Sequence, residues 1–107
     1  MTVTVQSRIL NTLRGVAEEC FYDWTVKSDT ATEGAVYLYP AGSFNASGVL
    51  TYRFSETSAR VTLANLIGWP KNTPSLKTFQ LDFPSCQKEI DGIAAAIIDL
   101  YRGARIP

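Results

Sequence analysis

The chain contains no histidine. That absence removes the Ser-His-Asp and Cys-His arrangements for nucleophilic catalysis, together with the commonest protein ligand for transition metals. Cysteine is scarce as well, with only Cys20 and Cys86. Thiols this far apart in sequence form neither a disulfide framework nor a C-x-x-C redox or zinc pair. The expectation is two reduced thiols in a cytoplasmic protein. An excess of charge is also missing, since ten basic residues balance ten acidic ones. No net field steers the chain toward nucleic acid or an anionic membrane, and charge near zero favours self-association. No apolar run approaches the roughly 18 residues of a membrane span. The start, "MTVTVQSRIL", lacks the basic head and hydrophobic block of a signal peptide. Without that signal, the "NAS" triplet at Asn45 is read as a chance glycosylation match. No P-loop, dinucleotide fingerprint or calcium loop occurs. The nearest carboxylates, Glu89, Asp91 and Asp99, read as a solvated helix face, because the helix wheel turns Glu89 away from the other two. No cofactor, no metal and no enzymatic activity are expected.

What remains is ordinary globular material: 107 residues, 46% apolar and 19% charged. That length suits one domain over 1–107 with a single, thin core. Ile9, Leu10, Leu13, Val16, Ala17, Cys20 and Phe21 recur at helical spacing and predict a first helix over about 4–21. Thr4 or Ser7 can cap it, and Arg14 and Glu18 stand four apart on its surface. Gly15 in this helix, like Gly92 in the second, reads as a mark of close backbone approach. "DWTVKS" and "AVYLY" predict two strands. "VLTYRFS" and "ARVTLANL" alternate cleanly and predict an antiparallel hairpin closed by "SETS". "LKTFQLDF" predicts a fifth strand. "PSCQKEIDGIAAAIIDLYRG" predicts a second helix, with Asp82 or Ser85 as cap, Pro84 at its start and Gly103 at its end. Cys86 in its first turn is a candidate reactive thiol by position and a packed residue by its place in the stripe Cys86, Ile90, Ile93, Ile97.

Each strand alternates, so the sheet has one dry face and one wet face, and only the terminal helices can cover the dry one. The predicted fold is a two-layer α+β sandwich: an N-terminal helix, a meander-like antiparallel sheet of about five strands, and a C-terminal helix, with both helices on one face.

Three surfaces are candidates for binding. The first is the loop "GWPKNTP", where Trp69 beside Lys71 either plugs the core or fills a partner's pocket. The second is the wet face of the sheet, with Arg53 and Arg60 and with Thr25, Lys27, Thr51, Thr62, Thr78 and Gln80. Tyr37 and Tyr39 share a face with each other, but alternation alone allows either side for them. The third is the second helix, whose apolar band is wider than one stripe. Gly92, Ala96 and Ile98 are its candidates for a homodimer interface.

Small size, no catalytic constellation and no net charge favour a non-enzymatic protein-binding module: an inhibitor, immunity-type or adaptor protein acting on a larger protein partner. Phage and mobile-element proteins often have this character, an analogy of type rather than of residues. The alternatives are a single-stranded nucleic-acid accessory protein using Tyr37, Tyr39, Arg53 and Arg60, and a structural homodimeric subunit. A membrane role is not expected.

Overall fold

Alternating apolar residues in five segments and helical spacing in two produce seven elements. In a computed structural model these are α1 (Val5–Glu19), β1 (Tyr22–Asp29), β2 (Glu33–Pro40), β3 (Gly48–Phe54), β4 (Ser58–Asn65), β5 (Leu76–Asp82) and α2 (Gln87–Arg105). The structure describes residues 5–30, 32–66, 76–83 and 85–105. The strands form one antiparallel sheet in the order β1-β2-β3-β4-β5, a meander in which each strand pairs with its sequence neighbours. Short polar turns make this order cheap to reach. In the β1–β2 turn the Thr30 N–H and hydroxyl both donate to the Glu33 carbonyl, at 2.8 and 3.0 Å. In the β3–β4 turn the Ser58 N–H donates to the Ser55 hydroxyl at 3.1 Å. Such side chains stand in for backbone partners where the ladder stops.

Both helices lie on one face of the sheet and touch each other, α1 over β1 and α2 over β4 and β5. They run parallel. A cavity of about 530 Å³ near their starts is lined by both, including Val5 and Arg8 of α1 and Gln87 and Lys88 of α2. The core between the layers holds Ile9, Leu13, Leu38, Leu50, Val61, Leu81, Ile93 and Ile97, all buried. The strand members of that core sit in register: Val36 opposite Leu50 and Leu50 opposite Leu63 across three strands. No helix among the described residues is long and apolar enough to cross a membrane.

Several boundaries differ from the sequence reading. Phe21 is not part of α1's buried stripe: it is 65% exposed with φ of 62°, in the left-handed turn that ends the helix. The chain must reverse there to enter β1, and that geometry overrides the apolar periodicity. The Cys86 carbonyl accepts the first helical bond of α2, from Ile90 N–H at 3.0 Å, so Cys86 rather than Asp82 or Ser85 marks the boundary. At the other end α2 runs through Gly103 to Arg105, so Gly103 is not its cap.

The two helical glycines also part company. A Cβ at Gly92 would lie 3.2 Å from Cε2 of Phe79, so this glycine does admit a close neighbour, a ring of the chain's own β5. A Cβ at Gly15 would meet nothing within 4 Å, so no close approach explains it. Gly15→Ala is therefore expected to stabilise the fold by about 1 kcal/mol through helix propensity alone. In Gly92→Ala the same gain is offset by the Phe79 contact. Urea midpoints of the two variants check this; a Gly15→Ala midpoint at or below wild type would contradict it.

Candidate functional site

The face of the sheet opposite the helices is left uncovered by every described element, and its residues come into line through strand register. One row runs Glu33, Arg53, Arg60, Gln80 across β2 to β5. The next runs Ser28, Ala35, Thr51, Thr62, Thr78 across all five strands. A third runs Thr25, Tyr37, Val49, Ala64, Leu76. Tyr37 and Tyr39 thus lie on the wet face, because Val36 and Leu38 are the β2 residues turned into the core.

The first two rows, Thr78 excepted, line an open concavity of about 910 Å³, whose walls include Ser58, Thr51, Arg53, Arg60, Thr62 and Gln80. Arg53 grips Glu33 there, with Nε at 3.2 Å and Nη2 at 3.1 Å from the same carboxylate oxygen, Oε2. The side chains are well exposed, at 78% and 52%, so this pair adds little to stability. The Thr62 and Thr78 hydroxyls stand 3.3 Å apart. Arg60 lies directly opposite Arg53 on the neighbouring strand. Like charges in that position destabilise a sheet, and the neighbour of Arg60 on its other side, Gln80, carries no charge.

That pairing gives a direct test of what Arg60 is for. Arg60→Glu puts opposite charges at paired positions, with Arg53 now shared between two carboxylates. The expected result is a gain of about 0.5 kcal/mol in urea denaturation at low salt, fading as salt is added. A loss of stability would show that the arginine serves the fold.

The tyrosines make a separate feature. Their rings stack at 6.2 Å between centroids with 27° between planes, and Lys27 Nζ sits 5.5 and 5.7 Å from the Tyr37 and Tyr39 ring centres. Lys27 shares the face of Thr25 by simple alternation and sits at the β1 bulge between Val26 and Ser28. Val49, opposite Tyr37, precedes Arg53 by four residues on β3, so the tyrosine pair and the arginine pair are about 13 Å apart along the strands. The structure therefore gathers Arg53 with Arg60, and Tyr37 with Tyr39, as two stations on one face.

The remaining candidates fall elsewhere. Trp69 and Lys71 lie outside the described residues. Ala96 is buried in the chain's own core, Ile98 is partly buried against it, and Gly92 faces Phe79. Both thiols are buried, Cys20 and Cys86 alike, and burial pushes each pKa up. Nearby carboxylates push the same way, Glu19 at Cys20 and Glu89 and Asp82 at Cys86. A raised thiol pKa is the opposite of what a nucleophilic cysteine needs, so Cys86 is a packed residue despite its position. Among the described residues no three side chains of the metal-binding types cluster.

Sequence reasoning missed Glu33. Its role depends on a pairing twenty residues away, and no local spacing announces it. It also missed the exposed apolar residues at the sheet end where β2 leads into β3: Phe44 at 97% and Leu66 at 54% exposure, beside Phe21. Backbone bonds hold this end together, from Ala41 N–H to the Phe21 carbonyl and from Leu66 N–H to the Ser47 carbonyl.

No family model matches this chain, and no curated protein or solved structure matches it.

Proposed function

We propose that this chain is a small non-enzymatic protein-binding module, of the inhibitor, immunity-type or adaptor kind, and that its contact surface is the outer face of the sheet. One observation carries the reading: two arginines, Arg53 and Arg60, stand at directly paired positions on an uncovered face, and among the described residues only Arg53 has an ion-pair partner there, Glu33. The concavity around them and the stacked tyrosines add shape and aromatic surface of the kind that protein interfaces use.

Single-stranded nucleic acid is the second reading, favoured by the exposed Tyr37–Tyr39 stack beside Lys27. It is the weaker one, because those rings already lie against each other and the lysine, and because Glu33 stands among the arginines.

Site-directed photocrosslinking tests the reading in cells that make the protein naturally. With p-benzoylphenylalanine replacing Thr51, which is exposed on the outer face, one adduct with a different polypeptide is expected. The same group replacing Glu18, exposed on α1, should give none. Adducts from position 51 only with nucleic acid, or only with a second copy of the chain, would replace the reading by one of its alternatives. No adduct at all would remove the outer face as the contact surface.

A further inference from the structure

The row Glu33, Arg53, Arg60, Gln80 holds two cationic side chains and one anionic one. Glu33 answers Arg53, and it does so with a carboxylate oxygen at 3.1 and 3.2 Å. No ion pair to Arg60 forms among the described residues. Arg60 lines the same concavity, with Thr51 and Thr62 on one side and Ser55 and Ser58 on the other. The Thr51 hydroxyl can donate to an anion, and a guanidinium presents a planar fork that matches a carboxylate in two bonds. Resting on the outer face as the contact surface, we infer that Arg60 receives a carboxylate side chain, an aspartate or glutamate of the partner protein, in the way that Arg53 receives Glu33.

The charge count separates this occupant from a nucleic-acid strand. One unanswered positive charge in the row suits one carboxylate. A strand carries a phosphate at every nucleotide, and an extended one would meet the Glu33 carboxylate on one side of Arg60 and Asp82 on the other, where Asp82 follows Gln80 by two residues. A carboxylate set between Arg53 and Arg60 also relieves the repulsion between them, so binding is strengthened by the very pairing that weakens the free sheet.

The test uses the full chain, labelled with nitrogen-15, and a short capped polyglutamate peptide as probe. Polyglutamine of the same length and a short oligothymidylate are the comparisons. Polyglutamate is expected to shift the amides of Thr51, Thr62 and Gln80 in a saturable way, and polyglutamine is not. Arg60→Gln is expected to weaken that binding about tenfold, a loss typical of one charge-assisted fork, while Arg14→Gln on α1 leaves it unchanged. Saturable shifts that are as strong in Arg60→Gln would overturn the inference, as would stronger binding by oligothymidylate or no shift on the outer face with polyglutamate. The two readings fail separately. A protein adduct at position 51 that survives Arg60→Gln leaves the binding module standing and removes its acidic partner group.

Discussion

Gly34→Ala should cost about 3 kcal/mol, far more than one methyl group on a strand ordinarily does. The Tyr52 side chain crosses directly over Gly34 from the next strand. A Cβ at that glycine would overlap the Tyr52 hydroxyl and stand 2.6 Å from both Cζ of that ring and the Ser28 carbonyl. The ring cannot shift without losing its end contact, because the hydroxyl donates to Asp29 Oδ1 at 3.0 Å. Asp29 is reachable only because the β1 bulge changes the alternation: Val26 pairs with Val36, yet Asp29 pairs with Gly34, in the row of Tyr52. Glycine, tyrosine, aspartate and bulge form one clasp across three strands. Urea denaturation followed by circular dichroism measures the loss. In a Tyr52→Leu background the cost of Gly34→Ala should be smaller but not vanish, since the Ser28 carbonyl, a backbone atom 2.6 Å from the Cβ, still has to be displaced. Equal costs in the two backgrounds would show that the tyrosine does not depend on the glycine.

The same clasp should weaken at alkaline pH. Burial, then the hydrogen bond to Asp29 and the negative charge of that carboxylate, push the Tyr52 pKa up from 10.0 to about 12. A folded-state pKa above the unfolded one means that the neutral phenol is the form the fold holds. Its contribution is complete below pH 10 and is lost as pH rises through 12. Tyr22, Cys20 and Cys86 are raised in the same sense, chiefly by burial, so the decline begins from about pH 9, where the thiols ordinarily titrate. Melting temperature is therefore expected to fall steadily from pH 9 to 12. Tyr52→Phe should lose about 2 kcal/mol at neutral pH, the value of a hydrogen bond to a charged acceptor. Above pH 10 it should then decline less steeply than wild type. Parallel curves for the two proteins up to pH 12 would place the alkaline transition elsewhere.

The proposed contact surface connects these stability arguments to function. Arg60 and Phe21 both break a local rule at exposed positions, one by facing a like charge and the other by adopting a left-handed backbone with a bulky side chain. The clasp, by contrast, is a rule obeyed at every member. Variants at Arg60 should change what the chain binds while leaving it folded. Variants at Gly34 and Tyr52 should change whether it folds and nothing specific beyond that.

The order of elements, the antiparallel sheet and the division into a dry and a wet face were legible in the residues. Alternation in "VLTYRFS" and "ARVTLANL" has one consequence for burial, and short polar turns leave adjacent strands little choice but to pair. Thr51, Arg53, Arg60 and Thr62 were assignable to the wet face for that reason. Tyr37 and Tyr39 were not, because "AVYLY" offers apolar residues to either side. Register decided them, since Val36 had to meet Leu50 and Leu50 had to meet Leu63 in one buried row. Gly92 and Gly15 looked alike in sequence, and only the packing of Phe79 told them apart. What the amino-acid sequence determined by itself is what depends on neighbours along the chain: the elements, their faces and the absence of histidine chemistry. Tertiary structure alone decided what depends on distance in space: Glu33 on Arg53, Arg60 facing Arg53, and Tyr52 over Gly34. Those pairs join positions about 7 to 20 residues apart, and pairing at that range is set by which rows bury the most apolar surface, not by any spacing within a segment.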